Sequence, residues 1–576
     1  MIIPKNKKDK LAYITELYER AKLAYSDTLE SFRINMEQYQ GSRAIDGSNI
    51  PATTVRNITY ELIEGQISSD IPQPKVDPAC YSERRSRCAK STERLLSSLR
   101  DKLPFEAIND IDERYTYIYG GSVMYVEWDN TERCGGEIGS VKVHTISPKD
   151  LIPQPDVCEI QDMDYLFLRF TTTKGSVMKK YGIKECDLIN CEYEDASDVE
   201  GECLTMVIAF YKDEGGQICR YIFSGDTTLE DMPTLYRRKK RVCSICGKGI
   251  GECDCEGSKP TNADVEVECA DIDIENGEGV MTVKCEIPYY TPRRFPVVIR
   301  RNTSGERRLF GQSDCEYIRP EQQAINKIES RILEKLLRAG VTPIVPEDAR
   351  ISLDNSIFGQ IIRMKPGESA TQYGKVDTTP NIAQDIAEAE RLYEHAKRIL
   401  GISDALVGID GTNNESGYSR QLRISQATGR LESKRKMKYT AYAELDRIIF
   451  ELYLAYADEP RQLVYKDSLG RIHNAEFSRY DFIELDNITG ELYYNDNYLF
   501  SVDLNGGAEY QREALWQRNL ENLKAGTLGN PTNPTTLLRY WQFQERAHYP
   551  HARENVEYFT LLCEKNEEFS GGDTPE

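Results

Sequence analysis

Apolar residues recur at helical spacing from the first turns of the chain. Over residues 9–39, Leu11, Ile14, Leu17, Tyr18, Ala21, Tyr25, Leu29 and Phe32 form one stripe, which predicts an amphipathic helix packed on a core. The string RNITYELIEGQISSDIPQPKVDP reads as a short helix running into an extended, Pro-rich segment at 71–78. Leu95, Leu96, Leu99 and Leu103 mark another helix, and FEAINDIDERYTYIYG a further one that Gly120 and Gly121 stop. The period then changes from helical to alternating. SVMYVEWD, VKVHTIS and DYLFLRFT predict strands, and LTMVIAFYKD with ICRYIFSG predicts a hairpin across the turn at 213–217. The expected fold class is α+β.

From Gly311 to Asp458 the pattern is three helices separated by two non-helical excursions. The first helix, PEQQAINKIESRILEKLLRAG, puts Ile325, Ile328, Ile332, Leu333, Leu336 and Leu337 on one side, with Gly340 at its stop. Its other side carries Lys327, Arg331, Lys335 and Arg338 as a single basic stripe. Such a stripe is a solvated face, or it meets DNA or a neighbouring subunit; the spacing alone leaves all three open. The second helix spans 380–401, from Pro380 to the stop at Gly401. Pro, Gly and β-type residues between the two predict a strand-and-loop module at 341–379. After a polar loop comes a helix from about Tyr418 to Ala457, on the order of 60 Å long. Its first half holds Arg420, Arg423, Arg430, Lys434, Arg435, Lys436 and Lys438 against the single acid Glu432, and is expected to be wet or subunit-facing. Its second half, with Leu445, Ile448, Ile449, Leu452 and Tyr456, is expected to be buried. Strand patterns resume beyond Pro460, helical ones from Ala508 to Phe569, and the tail SGGDTPE has a disordered composition.

Charge narrows the possible partners. Lys and Arg number 73 against 94 Asp and Glu, a formal net charge of −21, which excludes a surface that grips nucleic acid all over. The charged, helical opening lacks a secretory pattern and no run of about 18 apolar residues occurs, so a soluble, non-secreted chain with no membrane partner is expected. Sixteen cysteines without such a signal fit a reducing compartment. Four of them, Cys243, Cys246, Cys253 and Cys255, lie within RRKKRVCSICGKGIGECDCEG. Two thiolates in a CxxC knuckle and two more within a dozen residues, separated by glycines, predict a tetrahedral zinc site. With four thiolates no position is left for water, so the zinc would be structural. The preceding basic run, Arg237, Arg238, Lys239, Lys240 and Arg241, reads as a solvated charge run. The five histidines are scattered, and HExxH, GxxxxGK[ST] and GxSxG are all missing, so no enzyme is expected.

The order of elements and several strings resemble the portal proteins of tailed bacteriophages. The strings are RNITYELIEGQISSDIPQPKVDP, IYGGSVMYVEWD, FPVVIRRNTSGERRLFGQSDCEYIRPEQQAIN and GISDALVGIDGTNNESGYSRQLR, and their order spans roughly residues 50 to 530. The resemblance implies a multi-region subunit: a wing over 1–310 with a Cys-rich insertion at about 237–260, stem helices at 311–340 and 380–401, and a clip at 341–379. It further implies a tunnel loop at 402–417, a long helix at 418–458, wing strands at 459–507, crown helices at 508–570 and a disordered tail at 571–576. It implies a ring of about twelve subunits at one capsid vertex, through which double-stranded DNA passes during packaging and ejection. The implied partners are further copies of the chain, the major capsid protein, the terminase large subunit and a head-tail adaptor, in the virion and, during assembly, the host cytoplasm. Thr412, Asn413, Asn414, Glu415 and Ser416 fall in the tunnel loop, short polar residues suited to touching a moving duplex without reading bases. The cysteine knuckle departs from the portal pattern and looks like an insertion. The alternatives are a zinc-containing nucleic-acid-processing enzyme and an oligomeric scaffold unrelated to phage.

Overall fold

The computed structural model describes residues 4, 6–43, 54–134, 137–182, 203–232, 239–243, 260–264, 267–276, 279–305, 308–337, 344–346, 362–364, 381–402, 417–466, 472–485, 491–502, 509–546, 549 and 552–570. Over these residues the chain is α+β, with helices arranged around several small sheets. The stripe predicted over 9–39 is two helices, α1 (Lys7–Ala24) and α2 (Ser26–Tyr39), broken at Tyr25. The break lets each half bury its apolar face against a different neighbour. Ile14, Tyr18 and Ala21 of α1 lie on a sheet, while Phe32 of α2 meets Tyr119 and Phe310 edge-on at 5.2 and 5.6 Å between ring centres.

Helix α3 (Ile58–Glu64) is capped by the Asn57 side chain, which accepts from the Tyr60 N–H, and strand β1 (Pro74–Pro78) follows. Helix α4 (Glu83–Lys102) is capped in the same way by Ser82, and α5 (Phe105–Tyr119) ends at Gly120 in the left-handed region, as its sequence predicts. Strands β2 (Gly121–Cys134) and β3 (Glu137–Ile146) form an antiparallel pair. Next come β4 (Leu151–Pro153), β5 (Tyr165–Thr173), helix α6 (Lys174–Tyr181), β6 (Cys203–Lys212), β7 (Ile218–Ser224) and β8 (Thr227–Met232). The strands β4 to β8 make one antiparallel sheet in chain order, with the predicted β6–β7 hairpin at its centre. Successive side chains on a strand face opposite ways, and here both faces are covered. Phe167, Val207, Ala209, Tyr221 and Phe223 point to α1, whereas Leu166, Leu168, Ile208, Phe210 and Ile222 point to the main core. That double burial accounts for the near-continuous apolar runs.

The pairs β9 (Lys239–Cys243) with β10 (Pro260–Asp264) and β11 (Val267–Asn276) with β12 (Gly279–Pro288) are antiparallel, and β13 (Val297–Arg301) adds to β2. Helix α7 (Asp314–Leu337) begins six residues before the predicted start at Pro320, which sits inside the helix and leaves the Glu316 carbonyl without its N–H partner. Within 341–379 the described residues are a short parallel pair, β14 (Ile344–Pro346) and β15 (Ile362–Met364). Helix α8 (Ala383–Leu400) stops at Gly401 in the left-handed region, and α9 (Gly417–Tyr456) is a single helix of 40 residues. Then β16 (Arg461–Lys466) pairs with β17 (Ile472–Phe477), β18 (Ile483–Leu485) with β19 (Leu492–Tyr494), and β20 (Tyr498–Val502) with β1. Helices α10 (Glu509–Lys524), α11 (Pro534–Arg546) and α12 (Ala552–Ser570) complete the chain.

The main core is shared between residues far apart in sequence. Phe105, Val123 and Phe295 from the first half pack with Tyr442, Leu445, Ile449, Phe450, Phe477 and Phe482 from the second, all almost fully buried. The second half of α9 is buried, as its sequence predicts, and takes Asp446 and Glu451 into the interior along with its apolar residues. Among the described residues no helix is long and apolar enough to cross a membrane.

Candidate functional site

Helices α7 and α8 lie antiparallel. Glu321, near the start of α7, meets His395, near the end of α8, with Oε1 and Nδ1 3.0 Å apart, and Lys335, at the far end of α7, pairs with Asp385, in the first turn of α8. Their common base is apolar: Ile318 and Ile325 of α7 pack with Tyr393, Ala396 and Leu400 of α8 and with Ile58 and Leu62 of α3. Buried polar groups fix the same base. The Gln322 side-chain oxygen accepts from the Thr59 N–H at 3.0 Å, while its NH2 donates to the Arg56 carbonyl at 2.7 Å. Outward from this base the apolar face of α7 is only partly covered, with Leu333, Leu336 and Leu337 exposed.

At the root of α7 the chain makes a backbone crossing that only glycine fits. Gly120 has φ 83°, and a Cβ built on it would stand 2.2 Å from the Gly311 carbonyl oxygen; one on Gly311 would stand 2.1 Å from that of Thr303. The Ser313 hydroxyl donates to the Ile118 carbonyl at 2.6 Å, and the Asn302 N–H to that of Gly120 at 3.0 Å. The strings IYGGSVMYVEWD and RRNTSGERRLFGQSDCEYIRP thus meet in space.

Beside this crossing lies a cluster of buried charges. Arg300 of β13 reaches Asp112 at 2.6 Å and Glu113 at 2.8 Å, all three side chains no more than 2% exposed. Lys438 of α9 also reaches Glu113 at 2.8 Å and donates to the Asp70 carbonyl. One turn earlier, Lys434 donates to both oxygens of Asp314 at 2.7 and 2.9 Å and lies 4.9 Å from the centre of the Tyr117 ring. Asp314, in the first turn of α7, is completed by the NH2 groups of Gln66 at 3.0 Å and Asn302 at 2.8 Å. Burial pushes the Glu113 carboxyl upward, but Arg300 and Lys438 together outweigh it and hold Glu113 below its ordinary value. Burial drags the Lys438 ammonium down while Glu113 opposes it. With two cations on one carboxylate, the geometry supports Glu113 as the ionised acid. Chemically, the cluster is suited to fixing helices against one another: its carboxylates are engaged by cations and amides.

The expectation that the first half of α9 is wet or subunit-facing is corrected for two of its residues. Lys438 is 3% exposed and the Lys434 side chain 14%, with the carboxylates of Asp314 and Glu113, the Gln66 amide oxygen and the Asp70 carbonyl opposite them. A signal for this was present: 434, 438, 442, 445 and 449 fall on one helical stripe, so the two lysines extend the face that carries Tyr442, Leu445 and Ile449 into the core. Asp112, Glu113, Arg300 and Asp314 carried no comparable signal. Of the basic stripe on α7, Lys327 and Arg331 are exposed, Lys335 is engaged by Asp385, and Arg338 lies outside the described residues. The tunnel-loop residues Thr412, Asn413, Asn414, Glu415 and Ser416 also lie outside them. So do Cys246, Cys253, Cys255 and the side chain of Cys243. Among the described residues no group of His, Cys, Asp and Glu is arranged to hold a metal ion. No family model matches this chain, and no curated protein matches it.

Proposed function

We propose that the chain is the subunit of a phage portal: a homo-oligomeric ring at one capsid vertex, through which double-stranded DNA enters during packaging and leaves during ejection. The observation that carries this reading is the arrangement of α7, α8 and α9. An antiparallel helix pair is rooted in a small apolar cluster of its own with α3, and a 40-residue helix then passes back through the main core, which the segments on both sides of the pair build together. The close meeting at Gly120 and Gly311 supports it further, since it joins two of the strings on which the resemblance rests.

In this reading α7 and α8 are the stem, 341–379 the clip that meets the terminase large subunit and later a head-tail adaptor, and 402–417 the tunnel loop. The residues before 311 and after 458 form the wing and crown, in contact with the major capsid protein. The net charge of −21 suits a conduit, because each phosphate neutralised by a wall cation releases counterions and adds affinity that impedes sliding. Cys243, Cys246, Cys253 and Cys255 hold one structural zinc that staples the inserted loop. Mass photometry of the purified full chain tests the assembly: the expected species is a single large homo-oligomer, and a monomer that persists across concentration and salt contradicts the proposal.

A further inference from the structure

We infer that Asp314 and the lysine pair Lys434 and Lys438 form a latch that couples the α7–α8 pair to α9, so that neither shifts along its axis without the other. Both oxygens of Asp314 are taken by Lys434, and this carboxylate belongs to the first turn of α7, the helix on which α8 rests. Lys438, one turn along the same face of α9, is held independently by Glu113 of α5, which is itself fixed by Arg300 of β13. Three cations, Arg300, Lys434 and Lys438, thus stand against three carboxylates, Asp112, Glu113 and Asp314, and the carboxylates are at most 1% exposed.

The balance is what makes the contact a coupling device. If α7 moves relative to α9, Asp314 keeps only the neutral donors Gln66 and Asn302, and a buried carboxylate loses its counter-charge. Arg300 and Lys438 are already committed to Asp112 and Glu113, so no third cation in the cluster replaces Lys434. A small displacement is therefore strongly opposed, and the engaged and broken states are discrete. Seventeen residues of α9, about 25 Å of helix, precede Lys434, so a change at that end of α9 reaches the helix pair through this contact.

Hydrogen exchange read by mass spectrometry on the full chain tests the latch in wild type, K434M, K434R, D314N and the K434M/D314N double variant. K434M is expected to speed exchange at least about tenfold in both α7 and α9, while the β4–β8 sheet, which does not touch the cluster, stays at the wild-type rate. K434R retains the charge and stays near wild type. The double variant is no worse than K434M alone, because both substitutions remove one interaction. Should K434M fail to fold, D314N carries the test and must speed exchange in both helices. A rise confined to α9, a rise throughout the molecule, or additive effects of the two substitutions would overturn the inference.

Discussion

Glu451 and Asp446 lie in the core-facing half of α9, 5% and 1% exposed. Burial pushes Asp446 up to about 6 against the pull of Arg100, and Glu451 up to about 7 against Arg294 at 3.2 Å and Arg447 at 3.7 Å. Both values lie above those of the unfolded chain, so folding takes up protons. Their contribution to stability is complete below the unfolded values and is lost as pH rises through about 6 for Asp446 and about 7 for Glu451. For Glu451, raised from 4.5 to about 7, the full effect is on the order of 3 kcal/mol. Glu113 has the opposite sign, contributing above its unfolded value and losing that contribution as pH falls through its lower folded one. Denaturant unfolding at pH 6 and pH 8 should therefore show greater stability at pH 6, and Glu451→Gln should remove most of the difference; an unchanged difference contradicts the assignment. A second expectation concerns the backbone crossing. Gly311→Ala forces a methyl group into the Thr303 backbone and should destabilise by more than about 3 kcal/mol, while Gly305→Ala, with no atom closer than 3.6 Å, should stay within about 0.5 kcal/mol. Comparable unfolding midpoints for the two variants would contradict the geometry. The sequence announces Gly120 as a helix stop, but Gly311 becomes intelligible only once residues 120, 303 and 311 are brought together, a contact that no local pattern encodes.

At the scale of elements, periodicity identifies what local burial controls. The β6–β7 hairpin, the strands after Pro460 and the burial of the second half of α9 follow from period-2 and helical patterns, because each element's own side chains decide its face. Two features were not legible in that way. The break at Tyr25 goes with α1 and α2 having different neighbours, and the extension of α7 back to Asp314 goes with contacts to Lys434, Gln66 and Asn302. On α7 itself the basic stripe divides by environment. Lys335 is tied to Asp385 across the helix pair, so Lys335→Ala should lower stability by no more than about 1 kcal/mol, as for other partly exposed pairs. Lys327 and Arg331 are exposed, and replacing both by Ala should change stability by less than about 0.5 kcal/mol. A larger loss in the double variant, read by the same unfolding measurement, would place these two side chains in packing rather than at the surface.

For the whole molecule, the described residues show how a chain interrupted by a helix pair still forms one core: β1 near the start pairs with β20 near the end, and Phe105, Phe295, Tyr442 and Phe482 share one apolar cluster. The α+β class was legible from the pattern because it requires only the types of element; their assembly was not, since β1–β20 pairing and the charge cluster join residues hundreds of positions apart. Two proposals belong to this scale. Elemental analysis should find about one zinc per chain, lost when Cys243 and Cys246 are both changed to Ser; native protein free of metal contradicts the knuckle. Deleting 411–415 should leave assembly intact but impair DNA packaging or retention, and normal packaging contradicts a constriction there. Closure of the proposed subunits into a conduit is read by electron imaging of the purified protein. Rings with a central opening wide enough for a DNA duplex are expected; closed particles without a hole, or single chains only, contradict the portal proposal.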